Sequence, residues 1–142
     1  MANTQLLDAI GEIIDEIKTI SGIRAAPDVP PENNDLFPFV LVYPDYGVYE
    51  YGMPIGYERA LHNIAIELHI ARKDLPRDYS TVMSLIDEIP IELGKLLKAS
   101  GFSNLQTWES IEYNFQSMNY AGVETLGVRY TINGVKIQVE LV

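Results

Sequence analysis

Two histidines are all the imidazole in this chain, and only one stands beside a group that could work with it. Glu67 and His69 lie two apart in "HNIAIELHIAR". On a strand, residues two apart share a face, so this carboxylate and imidazole could act as a general base and its orienter. A plainer explanation competes: two polar residues on the solvated outer face of a strand. His62 lies seven positions from His69, an odd separation that points the two imidazoles to opposite faces and forbids a shared metal ion. It is expected to be a strand-end histidine with a backbone partner. The chain has no cysteine, which excludes disulfides and thiolate metal sites. Asp74 and Asp78, and Asp87 and Glu88, sit where helix capping and solvation account for them. "DLPRD" has the charges of a turn. There is no glycine-rich phosphate loop and no nucleophile elbow. Trp108, the only tryptophan, stands before a strand and reads as packing. On this evidence the chain is not an enzyme, and no catalytic residue, metal site or cofactor is expected. A small ligand-binding or enzymatic domain built on Glu67 and His69 is the alternative of that kind.

The elements that would carry these residues follow from periodicity. Leu6, Leu7, Ile10, Ile13, Ile14, Ile17 and Ile20 form one helical stripe, with Asp8, Glu12, Asp15 and Glu16 on the outer side. Asn3 or Thr4 can cap this helix, and Gly22 is a natural left-handed stop. Residues 24–36 are rich in proline, asparagine and acid and read as a long extended connection. "FPFVLVYP" reads as a strand, with Pro38 marking its start or an edge position. "RALHNIAIELHIAR" alternates cleanly, with Ile64, Ile66, Leu68 and Ile70 on one face. Val82, Leu85, Ile86, Ile89, Leu93, Leu96 and Leu97 keep helical spacing. Pro90 is expected to kink or divide that second helix, and Gly101 to end it. "IEYNFQS" places Ile111, Tyr113 and Phe115 on one face of a strand. Asn133–Gly134 is the strongest short hairpin motif in the chain. A two-residue turn there would pair Ile132 with Val135 and Tyr130 with Ile137, all on one face, whereas an unbroken strand would switch faces at that point. The expected order is α-β-β-α-β-β-β in a single domain spanning residues 1–142. The fold class is α+β: a two-layer sandwich whose mainly antiparallel sheet of four or five strands has two helices packed on one face.

Between the first two strands runs "YPDYGVYEYGMPIGYE", which holds five of the nine tyrosines. Residues 45–57 read as a long loop. Tyr46, Tyr49, Tyr51, Met53, Ile55 and Tyr57 form an aromatic, methionine-bearing set of the kind enriched in interface cores. For Tyr46 to Ile55 a partner surface is expected, against the alternative that the loop folds back on its own sheet. For Tyr43 and Tyr57, adjacent to the strands, folding back is favoured. The formal net charge is −10, from 20 acids and 10 bases, and the bases are scattered. Nothing here could grip phosphate, which needs concentrated positive charge; the plain account of the acidity is solubility. The first twenty residues carry acids where a secretory leader needs bases, and no apolar run approaches the roughly 20 residues of a membrane span.

The run "RALHNIAIELHIARKDLPRDYSTVMSLIDEIPIELGKLL", followed by "YAGVETLGVRYTINGVKI", resembles the tail terminators of long-tailed bacteriophages and prophages, related in fold to the minor tail protein U of lambdoid phages. The similarity runs from about Leu6 to about Ile137. It rests on the order of elements and on the "H…ARKDLP" and "GVETLG" segments, and contains no catalytic motif. The resemblance implies a homo-hexameric ring that caps the tail tube, stops its polymerisation and docks the neck. The implied partners are the major tail tube protein and a neck or head-completion protein. DNA would pass through without specific binding, and there is no membrane role. The setting would be the virion tail or neck, assembled in the host cytoplasm. A negative channel wall would let DNA slide; the candidate acids are Asp45, Glu50 and Glu58 on the tyrosine arm, and Asp28, Glu32 and Asp35 on the other loop. A neck adaptor or stopper at the head–tail interface is the alternative within the same architecture.

Overall fold

The computed structural model describes residues 5–27, 38–50, 57–72, 79–120 and 122–140. The expected caps at Asn3, Thr4, Asp74 and Asp78, and most of the 24–36 connection, lie outside them. Helix α1 (Gln5–Lys18) buries Ala9, Ile10, Ile13, Ile14 and Ile17, the stripe that the 3.6-residue period sets. Leu7 is a correction: it lies on the flank of the stripe and is 65% exposed. Gly22 ends the following turn at a φ of +100°. Helix α2 (Tyr79–Lys98) runs unbroken through Pro90, so the expected division does not occur. It closes with paired capping bonds, from Ser100 N–H to the Leu97 carbonyl (3.0 Å) and from Gly101 N–H to the Leu96 carbonyl (2.9 Å). The left-handed residue of this cap is Ser100 (φ 56°) and not Gly101; Gly101 is there because a Cβ would run into the Leu96 side chain.

Five strands form one sheet: β1 (Phe39–Glu50), β2 (Tyr57–Arg72), β3 (Leu105–Thr107), β4 (Ser110–Tyr120) and β5 (Val123–Glu140). The order is β1-β2-β5, with β4 and then the short β3 along the far side of β5. All of these pairings are antiparallel, so β1 and β5 run one way, and β2 and β4 the other. Both helices cover one face. Val40, Val42, Ile64, Ile66, Leu68, Ile70, Val128, Tyr130 and Ile132 meet the helical stripes in a single apolar core. Tyr130 keeps its hydroxyl satisfied there by donating to the Ile86 carbonyl of α2 (2.9 Å). The α+β architecture inferred from periodicity is the one observed.

Two strand assignments change. First, Asn133–Gly134 is not a hairpin turn: β5 continues straight through it, paired with β2 on one side and with β4 and then β3 on the other. His62 pairs with Val135 and Ile64 with Ile132, so Asn133 and Gly134 together oppose Asn63. This is a β-bulge, one extra residue with Gly134 at a φ of +64°. Asn63 Oδ1 accepts the freed Gly134 N–H (3.2 Å). The extra residue resets the alternation, so Val135 and Ile137 stay on the helix side with Tyr130 and Ile132. The face switch that argued against an unbroken strand is thereby cancelled. Second, residues 45–57 are not one long loop. β1 extends to Glu50 and β2 begins at Tyr57, pairing Tyr46 with Asn63, Tyr49 with Ala60 and Glu50 with Arg59. Pro44 is tolerated because β1 is an edge strand with a register shift between Pro44 and Tyr46.

Candidate functional site

The open face of the sheet, opposite the helices, carries the residues with chemistry. Glu67 and His69 point there from β2; Glu67 is partly exposed, whereas His69 is not solvated, at 0% exposed. Phe39 of β1 stacks on its imidazole (centroids 4.6 Å apart, planes 8° apart), and Tyr120 of β4 tilts against both. Beside these aromatics runs a partly buried chain of polar contacts across four strands. The Tyr43 hydroxyl donates to Glu67 Oε2. His69 Nε2 meets Glu67 Oε1 at 2.9 Å, and His69 Nδ1 meets Thr125 Oγ1 at 2.6 Å. The Thr125 hydroxyl also donates to the Met118 carbonyl at 3.4 Å. The imidazole thus joins the Glu67 carboxylate to the Thr125 hydroxyl through its two ring nitrogens.

The hydrogen bond from His69 outweighs burial and holds the Glu67 carboxyl below its usual range, with Tyr43 and Arg129 acting in the same direction. Burial, and then the bond to Glu67, push the Tyr43 phenol up to about 12. Arg129, opposite Glu67 on β5, approaches Asp45 at 3.4 Å. The order Thr125–His69–Glu67 is that of a hydroxyl, its base and an orienting acid. Thr125, however, is 1% exposed, so no reactant reaches that hydroxyl in this fold. The network works as a polar staple: it satisfies its own buried groups while tying β1, β2, β5 and β4 together. Among the described residues, no three histidine, aspartate or glutamate side chains converge on a metal-sized point.

His62 is not at a strand end. It is a buried residue in the middle of β2, on the helix side, with Tyr49 edge-on to it at 5.4 Å. It lies over Gly47, where an added Cβ would come within 2.5 Å of Nδ1. Burial pulls its pKa down. Trp108 packs edge-on against Phe102 at the rim of the core. Glu12, assigned to the solvated side of α1, instead fastens a loop: its carboxylate accepts from Ser103 N (2.9 Å), Asn104 N (2.8 Å) and Asn104 Nδ2 (2.6 Å).

The other candidate surface is the arm, the outer half of the β1–β2 ladder. Tyr46 is 65% exposed and Tyr49 49%, with Val48 exposed between them, whereas Tyr43 lies back on the sheet through its bond to Glu67. Tyr51, Met53 and Ile55 lie outside the described residues, as do the side chains of Tyr57, Glu50 and Glu58. Of the proposed channel acids, Asp45 is exposed but shares its charge with Arg129; Asp28, Glu32 and Asp35 lie outside the described residues. Sequence patterning missed a second exposed set. Tyr113 and Phe115 of β4 are on the helix side but are 58% and 42% exposed. Their alternation with polar residues was visible, but how far the helices reach over the sheet is not a local property.

Among the described residues, both long edges of the sheet are open. Residues 24 and 25 cap only the start of β1, through Arg24 N–H to the Pro38 carbonyl (2.8 Å) and Val40 N–H to the Ala25 carbonyl (2.9 Å). Beyond that point β1, and β4 along its length, have no second strand neighbour among the described residues. No family model matches the chain, and no curated protein matches it in sequence.

Proposed function

We propose that the chain is a structural virion protein, a tail terminator that forms a homo-oligomeric ring on the tail tube of a long-tailed phage. In this role it stops tube polymerisation and docks the neck. The specific role comes from the sequence resemblance. The observation that carries the assembly part is the pair of open, antiparallel edges, each bearing uncovered aromatics. Tyr46, Val48 and Tyr49 are exposed on β1, and Tyr113 and Phe115 on β4. A closed ring needs two different, complementary surfaces on each subunit. Since β1 and β4 run in opposite directions, laying β4 of one copy beside β1 of the next continues the antiparallel alternation. Open edges and exposed apolar patches are hazards for a free subunit and assets for an assembling one. The sealed Thr125 hydroxyl gives no support to an enzymatic role.

In this reading the major tail tube protein and a neck protein are the partners, and DNA passes through the ring unread. Electron microscopy of particles lacking the protein tests it. Overlong tails are expected. Normal tails on heads that leak DNA would overturn the terminator assignment in favour of a neck stopper. Native mass spectrometry with purified tube protein should show a ring on the tube end, and a chain that remains monomeric there would remove the assembly argument.

A further inference from the structure

The Asn133–Gly134 pair in the bulge of β5 has a chemistry of its own. In such a pair the glycine nitrogen, once it has lost its proton, can attack the asparagine Cγ. The new N–Cγ bond closes a five-membered succinimide, and the side-chain nitrogen leaves as ammonia. Water then opens the ring to aspartate, or to an isoaspartate whose backbone runs through the former side chain. Glycine favours this because it has no side chain to hinder the closing ring. The fold cannot dispense with the glycine. Gly134 is left-handed, at a φ of +64°, and an added Cβ would come within 2.7 Å of the Glu109 side chain. The bulge therefore needs the residue that makes its neighbour labile.

The two reacting groups are tied to strands on opposite sides of β5, which runs between β2 and β4. The attacking nitrogen, Gly134 N, donates its hydrogen to Asn63 Oδ1 of β2 (3.2 Å). The carboxamide to be attacked is held the other way, with Asn133 Nδ2 donating to Ser110 Oγ of β4 (3.2 Å). The peptide that joins them is also pinned at its other end, because the Asn133 carbonyl accepts from Glu109 N–H (2.9 Å). Ring closure requires this planar unit to turn its nitrogen toward Cγ, and each of the three bonds opposes that turn. We infer that Asn133 is a self-modification site held shut by the bulge, with Asn63 as its latch: the folded strand keeps the amide, and an opened strand converts it. Conversion is not silent. Isoaspartate adds a backbone carbon where the strand already carries an extra residue, and both products add a negative charge next to Gly134, over which Glu109 already lies. A strand that opens and converts loses the spacing by which β5 pairs with β2 on both sides of Asn63. This inference does not depend on the assembly reading.

Incubating the whole protein at mildly alkaline pH, folded and in urea, tests this. The readout is the mass gain of amide-to-acid exchange, located at Asn133 by peptide mapping. Conversion should be slow in the folded protein and fast in urea. Asn63→Ala should speed it in the folded protein roughly two- to tenfold, the scale of one lost hydrogen bond. Asn63→Asp keeps an acceptor oxygen and should stay near the parent rate, which separates the latch from a general loosening of the strand. Ser110→Ala frees the carboxamide from the other side and should raise the rate on the same scale, so the test stands even where Asn63→Ala fails to fold. Conversion as fast in the folded parent as in urea would overturn the inference, as would parent rates in both alanine variants. An equal rise in Asn63→Asp and Asn63→Ala would overturn the role of Asn63.

Discussion

The β1–β2 ladder has two ends built from the same kinds of residue and treated oppositely. At the body end, Phe39, Val40, Leu41 and Val42 are all buried. The even-numbered pair lies under the helices, and the odd-numbered pair lies on the face where His69, Tyr120 and the Glu67 network close over the sheet. At the arm end, past the register shift at Pro44 and Tyr46, Tyr46, Val48 and Tyr49 stay in the ladder and are exposed. Strand-forming residues thus fix where the ladder runs, and the layers above and below fix which of its side chains are core. An aromatic residue at the body end is core; one at the arm end is exposed.

The helix side of the body should be the most sensitive to change. Ile66→Ala removes a fully buried side chain and should cost about 2–5 kcal/mol in urea denaturation, the usual range for a core truncation with its cavity. A loss below about 1 kcal/mol would mean that the body is loosely packed and the contrast false. On the open side of the body, His69→Ala removes one partner each from Glu67 and Thr125, and about 1–3 kcal/mol is expected from the weakened polar network.

Much of this division was legible in the sequence, and the exceptions are instructive. The helices, the helix-side face of β2 and the fold class follow from short-range periodicity. The burial of His69 does not, because Phe39 and Tyr120 reach it from strands remote in sequence. Pro44 and Gly47 made the arm look like a loop. Edge pairing tolerates the proline, and the bare glycine makes room for His62. Asn133–Gly134 satisfies a tight turn and a left-handed bulge equally well; what separates the two is a partner strand on each side.

A pH titration probes the open side more gently. The folded-state pKa of Glu67 lies below its ordinary value of 4.5, so its stabilisation is present above that pH and is lost as pH falls through the folded value. Glu67→Gln should flatten the acid limb of stability against pH. The phenol of Tyr43 is shifted the other way, so its contribution is present below pH 10 and is lost as pH rises toward about 12. Tyr43→Phe should remove that alkaline slope. The smallest stability effect belongs to the arm. Tyr46→Ser with Tyr49→Ser should stay within about 0.5 kcal/mol of the parent in the same urea assay, while abolishing ring formation on tube ends in native mass spectrometry. Cooperative loss of folding would instead assign the arm to the core.

The doubled position opposite Asn63 makes the parity of chain length the vulnerable property of the longest strand. Losing Gly134 alone would take out the extra residue and leave Ile132, Val135 and Ile137 in alternation on the helix side. Losing Asn133 as well would turn everything after it by half a repeat, thrusting Lys136 among the aliphatics and Val135 and Ile137 outward. This stretch should therefore survive the loss of one residue and not of two.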